Sequence, residues 1–169
     1  NSPAVILQGH IDMVAVKEED CVKDMEKEGL DLEIQDGYLS AKQTSLGGDD
    51  GIAVAYSLAL LASTDIPHPP LEAVFTVDEE IGMLGAAAID LSDLNGKIML
   101  NMDSEDEGIF LAGCAGGASV RCDIPVTKGT ETGVGRTLTL KGFTGGHSGT
   151  EIICQRANTN VLMGRILME

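Results

Sequence analysis

Leu71-Glu72-Ala73-Val74-Phe75-Thr76 runs directly into Val77-Asp78-Glu79-Glu80-Ile81-Gly82. A short apolar run of this length reads as a strand. It delivers two adjacent carboxylates into a turn that contains glycine. Side chains of neighbouring residues leaving a strand point in different directions, so one acid can hold a cation while the other handles a proton. A solvated acidic turn accounts for the doublet equally well if it stands alone. Three other segments end in the same way.

Ala4-Val5-Ile6-Leu7-Gln8 is continuous in its apolar character, as a strand buried on both faces requires, and it ends in Gly9-His10-Ile11-Asp12. Leu46-Gly47-Gly48-Asp49-Asp50-Gly51 precedes Ile52 to Ala62, a helical stretch apolar nearly all round and therefore expected to be buried. Acids at its amino end also suit the helix dipole, so plain capping explains Asp49 and Asp50 too. Lys97 to Met102 reads as a further buried strand that ends in Asp103-Ser104-Glu105. Between these lie a charged connection over 17–36, a hairpin turned by Asp36-Gly37, a rigid loop at Pro67-His68-Pro69-Pro70 and a helix over 85–91. Strands alternating with helices over residues 1–116 predict an α/β fold with a mostly parallel sheet and flanking helices. Such sheets bind ligands beyond the carboxyl ends of their strands. His10, Glu79, Glu80 and Asp103 sit at such ends and Asp49 opens the helix between two of them, so the five side chains are expected to converge.

The formal net charge of -16 is unevenly spread. Residues 1–116 hold 5 Lys/Arg and 23 Asp/Glu, or -18, and residues 117–169 hold 6 and 4, or +2, which together restore -16. A shift of that size marks two units with different jobs, 1–116 and 117–169. The acidic unit repels nucleic acid and anionic membranes and attracts cations. No stretch of apolar residues is long enough to span a bilayer, and the amino end lacks the basic region of a signal peptide. Cys21, Cys114, Cys122 and Cys154 follow no metal-binding or disulfide rhythm and read as free thiols packed as small apolar groups. Beyond Gly113-Cys114-Ala115-Gly116-Gly117, residues 119–124 and 137–141 alternate as one-sided strands do, and Gln155 to Met168 reads as an amphipathic helix. Thr144 to Gly149 forms a glycine-rich loop around His147.

One imidazole among several carboxylates, with no thiolate, suits Zn2+, Mn2+ or Co2+. With this many acids two cations can share a site through a bridging carboxylate. Asp12, two residues past His10, is spaced to orient the ring. In this order and together, GHIDMV (9–14), SLGGDDGI (45–52), TVDEEIGMLGA (76–86), NMDSEDEG (101–108), GCAGG (113–117) and GGHSG (145–149) resemble the M20 family of dinuclear metallopeptidases, in its Xaa-His (aminoacyl-histidine) dipeptidase branch.

The resemblance implies a zinc-exopeptidase-like core followed by the start of an α+β lid. It implies metal ligands at His10, Asp49 (bridging), Glu80 and Asp103, with Asp12 orienting His10. It makes Glu79 the general acid/base, and it makes His147 a donor to the oxyanion in the active site of a partner subunit. Aspartate at 103 follows the amino- and dipeptidases, where many deacylases of the family have glutamate. The family implies a cis peptide after Asp49, and its usual asparagine at the next position is replaced here by Asp50. Two zinc ions, small peptide substrates, a homodimer and a cytoplasmic location belong to the same expectation. Relative to the family the chain reads as a fragment, lacking the later histidine that completes the Glu80 metal. The nearest rivals are a tripeptidase or an N-acyl amino-acid hydrolase of the same family. A rival of another class is a non-catalytic acidic metal-binding or oligomerisation module, against which the retention of Glu79 argues.

Overall fold

The computed structural model describes residues 2–104, 106–147, 149 and 151–169. Glu105 of the acidic strand end and Ser148 of the glycine-rich loop lie outside the described residues. The chain divides into two compact units, Asn1–Ile109 and Phe110–Glu169.

In the first unit, β1 (Val5–His10), β4 (Leu71–Thr76) and β5 (Ile98–Asn101) form a parallel sheet in the order β4-β1-β5. Register runs from Val5 opposite Leu71 to His10 opposite Thr76, and from Val5 opposite Ile98 to Gln8 opposite Asn101. The chain crosses from β1 to β4 through α1 (Gly48–Ala62), which packs on β1. β1 is central because it is apolar on both faces, and Ile6, Leu7, Ala53 and Val74 make the core with it. All the strands therefore point their carboxyl ends the same way, as the alternating pattern predicts.

A separate antiparallel hairpin, β2 (Leu32–Gln35) with β3 (Tyr38–Ala41), turns at Asp36 and Gly37, both at positive φ (52° and 87°). Two consecutive left-handed residues are what a two-residue hairpin needs, and Asp-Gly supplies them at low cost.

Three expectations for this unit need correction. The helix is buried only along Asp50, Ala53 and Ser57, while Ile52, Tyr56, Leu58 and Leu61 are exposed. A three-stranded sheet covers only one stripe of a helix. β5 is exposed along its whole length because it is an edge with a neighbour on one side only. The helix expected over 85–91 is the short α2 (Leu84–Ala88). It stops where Ile89 turns extended and the Asp90 carboxylate takes the Ser92 amide at 2.9 Å, a side-chain turn that competes with helical bonding.

In the second unit the expected strands over 119–124 and 137–141 do not form, and no ladder is present among its described residues. Alternation selects a wet and a dry face, but a strand exists only where a neighbour takes its amides. A single 3-10 turn (Ile152–Cys154) precedes α3 (Thr159–Met168), which starts four residues later than the pattern predicts. Gln155 adopts a left-handed conformation, and Asn158 caps the helix by accepting the amides of Asn160 (2.9 Å) and Val161 (3.2 Å). All four cysteines are free thiols; Cys21 alone is packed inside, and the other three are exposed.

Candidate metal centre

The carboxyl end of β1 carries the ring on which the site is built. His10 is 1% exposed. Its Nδ1 lies 2.9 Å from the backbone oxygen of Asp12 and 3.4 Å from Asp12 Oδ1, and its Nε2 lies 2.9 Å from Asp49 Oδ1. A carbonyl oxygen only accepts, so Nδ1 carries a proton. A neutral ring then presents a lone pair at Nε2, aimed at another lone pair on Asp49. Two acceptors at that separation require a proton or a cation between them.

Burial opposes a charge on this ring. The Asp49 hydrogen bond, the Asp12 carbonyl and the charges of Asp49 and Asp103 outweigh it and raise the His10 pKa above the ordinary 6.5. Glu80 completes the group: one donor atom each from His10, Asp49 and Glu80 lie within 4.8 Å of one another. An imidazole with two carboxylates is a donor set that fits a borderline divalent cation.

Asp12 ties two strand ends together. Its Oδ2 accepts the Glu80 amide at 3.1 Å, so the residue that orients the imidazole also fixes the acidic turn after β4. Burial alone would raise its pKa, but the backbone amides of Glu79, Glu80 and Asp12 itself, with His10, hold it below the usual value. Asp12 Oδ1 is buried with no hydrogen-bond partner, an acceptor left pointing at the ring.

The turn is shaped by Asp78 at φ 57° and Gly82 at φ 119°. It is closed by bonds from Gly82 and Met83 to the Glu79 carbonyl and from Gly85 to the Val77 carbonyl at 3.0 Å. Glu79 is half-buried and its pKa is raised. Burial is the main cause, opposed by His10 and reinforced by the charges of Asp103, Glu80 and Asp49. Asp103, two residues past β5, acts through its charge on His10, Asp50 and Glu79. The Asp49–Asp50 peptide bond is cis, as the resemblance implied.

His147 belongs to the second unit. Its amide donates to Glu151 Oε2 at 2.8 Å, and Glu151 in turn pairs with Arg156 at 2.7 Å. His68, read as a loop residue, is exposed with Nδ1 at 2.8 Å from the Pro69 carbonyl oxygen.

Two features of the site are absent from the sequence reading. A Cβ at Gly9 would overlap the Ala53 side chain and the Asp50 carboxylate. A glycine inside an otherwise buried strand is the signal for such an approach. The second is the side chain of Asp50, 1% exposed, which capping alone did not distinguish from Asp49.

No family model matches the chain. It is 41% identical over 172 aligned residues to the cytosol non-specific dipeptidase of Escherichia coli K12, an alignment spanning 99% of the chain and 35% of that protein. An uncharacterized protein of Bacillus subtilis 168 is 31% identical over 101 residues, 57% of this chain and 27% of its own length. Among solved structures, the aminoacylhistidine dipeptidase of Vibrio alginolyticus superposes with a TM-score of 0.60 at 46% identity, over 63% of this chain and 22% of that one. Parallel sheet, strand-end acids and these likenesses agree with the resemblance to M20 dipeptidases that the motifs carry. Both named dipeptidases are proteins to which this chain is similar over part of their length. The chain spans about a third (35%) of the curated relative.

Proposed function

We propose that the protein carrying this chain is a metal-dependent dipeptidase that hydrolyses small peptides, Xaa-His dipeptides among them, in the cytoplasm. The observation that carries the reading is the meeting of one donor atom each from His10, Asp49 and Glu80 within 4.8 Å, with Nδ1 already committed to the Asp12 carbonyl. His10, Asp49, Glu80 and Asp103 are the residues that would hold two divalent cations, zinc by preference and cobalt or manganese as substitutes. Cations so held supply Lewis acidity and bring the pKa of a water toward neutrality.

Glu79 is the general base. It takes a proton from the attacking water at a carboxylate oxygen and returns it to the nitrogen of the leaving amine. Its raised pKa suits both halves of that exchange. Asp12 keeps the imidazole in the tautomer that frees Nε2. His147 is the donor to the developing oxyanion, contributed across a homodimer. The same residues serve a tripeptidase or an N-acyl amino-acid hydrolase, and Asp103 favours the dipeptidase.

The test is hydrolysis of beta-alanyl-histidine by the protein carrying this chain. Glu79→Ala should lower turnover by about 10²–10⁴-fold while zinc binding by calorimetry is retained. Equal loss of both would leave Glu79 a ligand rather than a base. Retention of both would remove Glu79 as the base, whereas zinc binding with no hydrolysis by the unsubstituted protein would replace the hydrolase reading with a metal-binding module.

A further inference from the structure

Asp50 holds the two ligand-bearing elements against each other. Along β1, the amides of Val5 and Ile11 go to carbonyls on the β4 side, at Pro70 and Thr76, while the Gln8 carbonyl takes the Met102 amide on the β5 side. In a parallel ladder the groups of one residue face one neighbour and those of the next face the other, so the His10 amide faces β5. β5 ends at Asn101, opposite Gln8, and offers His10 no ladder partner. Asp50 Oδ2 takes that amide instead, at 3.3 Å.

The Ala53 amide also favours the charged form of this carboxylate. Asp49 (φ -86°, ψ 106°) and Asp50 (φ -116°, ψ 36°) are not helical, so the regular turns of α1 begin at Gly51. Ala53 is then the third residue of those turns, the position an N-cap side chain reaches. The carboxylate lies in the space a Cβ on Gly9 would need. No substrate or cation contact is required for any of this.

We infer that Asp50 is a positioning residue. By bridging the His10 amide to the first turn of α1, its side chain sets the separation of His10 Nε2 from Asp49 Oδ1. Capping alone would fix the helix; the bond to His10 fixes the strand end relative to it. The inference rests on the reading of His10 and Asp49 as cation ligands.

Two variants of the 169-residue chain separate the roles. In Asp50→Ser a hydroxyl still caps α1 but is too short to reach His10. In Asp50→Asn the amide oxygen keeps the bond to His10. Cobalt affinity and its visible spectrum are read together with amide exchange at His10 and Ala53 and ring ¹⁵N shifts of His10 in cation-free protein. Asp50→Ser is expected to keep slow exchange at Ala53, speed it at His10, move the ring shifts and weaken cobalt about 10–100-fold, as loss of an outer partner does. Asp50→Asn is expected to bind cobalt like the unsubstituted chain.

Cobalt binding by Asp50→Ser equal to the unsubstituted chain would reduce Asp50 to a cap and overturn the inference. Should Asp50→Ser fail to fold, Asp50→Asn decides: loss of cobalt there means the charge, not the bond to His10, is what matters, and retention supports the bridge. If cobalt binds the unsubstituted chain no better than His10→Ala, the ligand reading fails. The cation-free exchange and ring shifts then decide the positioning role on their own.

Discussion

His10 illustrates how much a single ring can be constrained by groups that merely accept. One nitrogen is committed to the Asp12 carbonyl, the other confronts Asp49, and the backbone amide is taken by Asp50. Gly9, just before it, is where this crowding becomes testable. A methyl group there would meet Ala53, which is fully buried, and the Asp50 carboxylate. Gly9→Ala should therefore destabilise the chain by about 1–3 kcal/mol, the usual cost of overpacking a filled interior, read as a lower urea midpoint with an unchanged slope. At this scale the sequence named the participants by residue type: His10, Asp49 and Glu80 were each marked by ending or opening an apolar element. The separate jobs of Asp49 and Asp50 were not legible, because two adjacent aspartates at a helix start look alike until the backbone turns one inward.

Among the elements, the β4-to-β5 connection shows how a polar side chain fastens a sheet. Glu72 on β4 accepts the amides of Asn95 (2.9 Å) and Gly96 (2.7 Å) with its two oxygens, just ahead of β5. Gly96 has no room for a side chain against Ile6. The backbone amides of Asn95 and Gly96, then the Asn95 side chain, lower the Glu72 pKa below the ordinary 4.5. A depressed folded pKa gives stability that is present above the unfolded value and lost as pH falls through the folded one. Glu72→Gln should accordingly lower the thermal midpoint at neutral pH, and its difference from the unsubstituted chain should shrink as pH falls below 4.5. Local signals were enough for β1, β4 and the Asp36-Gly37 hairpin, whose turn chemistry lies in two residues. The alternation over 119–124 and 137–141 was insufficient, since a ladder depends on a neighbour that the pattern of one segment does not specify. Apolar content likewise overstated the burial of α1 and β5, because burial depends on how many elements surround a segment.

Across the molecule, charge is the dominant asymmetry, with -18 on residues 1–116. Repulsion among these acids opposes compaction, and the cluster at the strand ends concentrates it. A divalent ion that binds only the folded chain stabilises it by mass action, about 2.7 kcal/mol at a hundredfold excess over its dissociation constant. Zinc should thus raise the thermal midpoint, EDTA should reverse the effect, and His10→Ala should abolish it. No helix among the described residues is long and apolar enough to cross a membrane.

Asp12 carries a consequence of its own. One residue meets the imidazole after β1 with its backbone carbonyl and grips the Glu80 amide after β4 with its carboxylate. Ring and acidic doublet are in effect two ends of one lever, with that residue as its fulcrum. Variation at either end is therefore felt at the other, and the pair can drift only in concert.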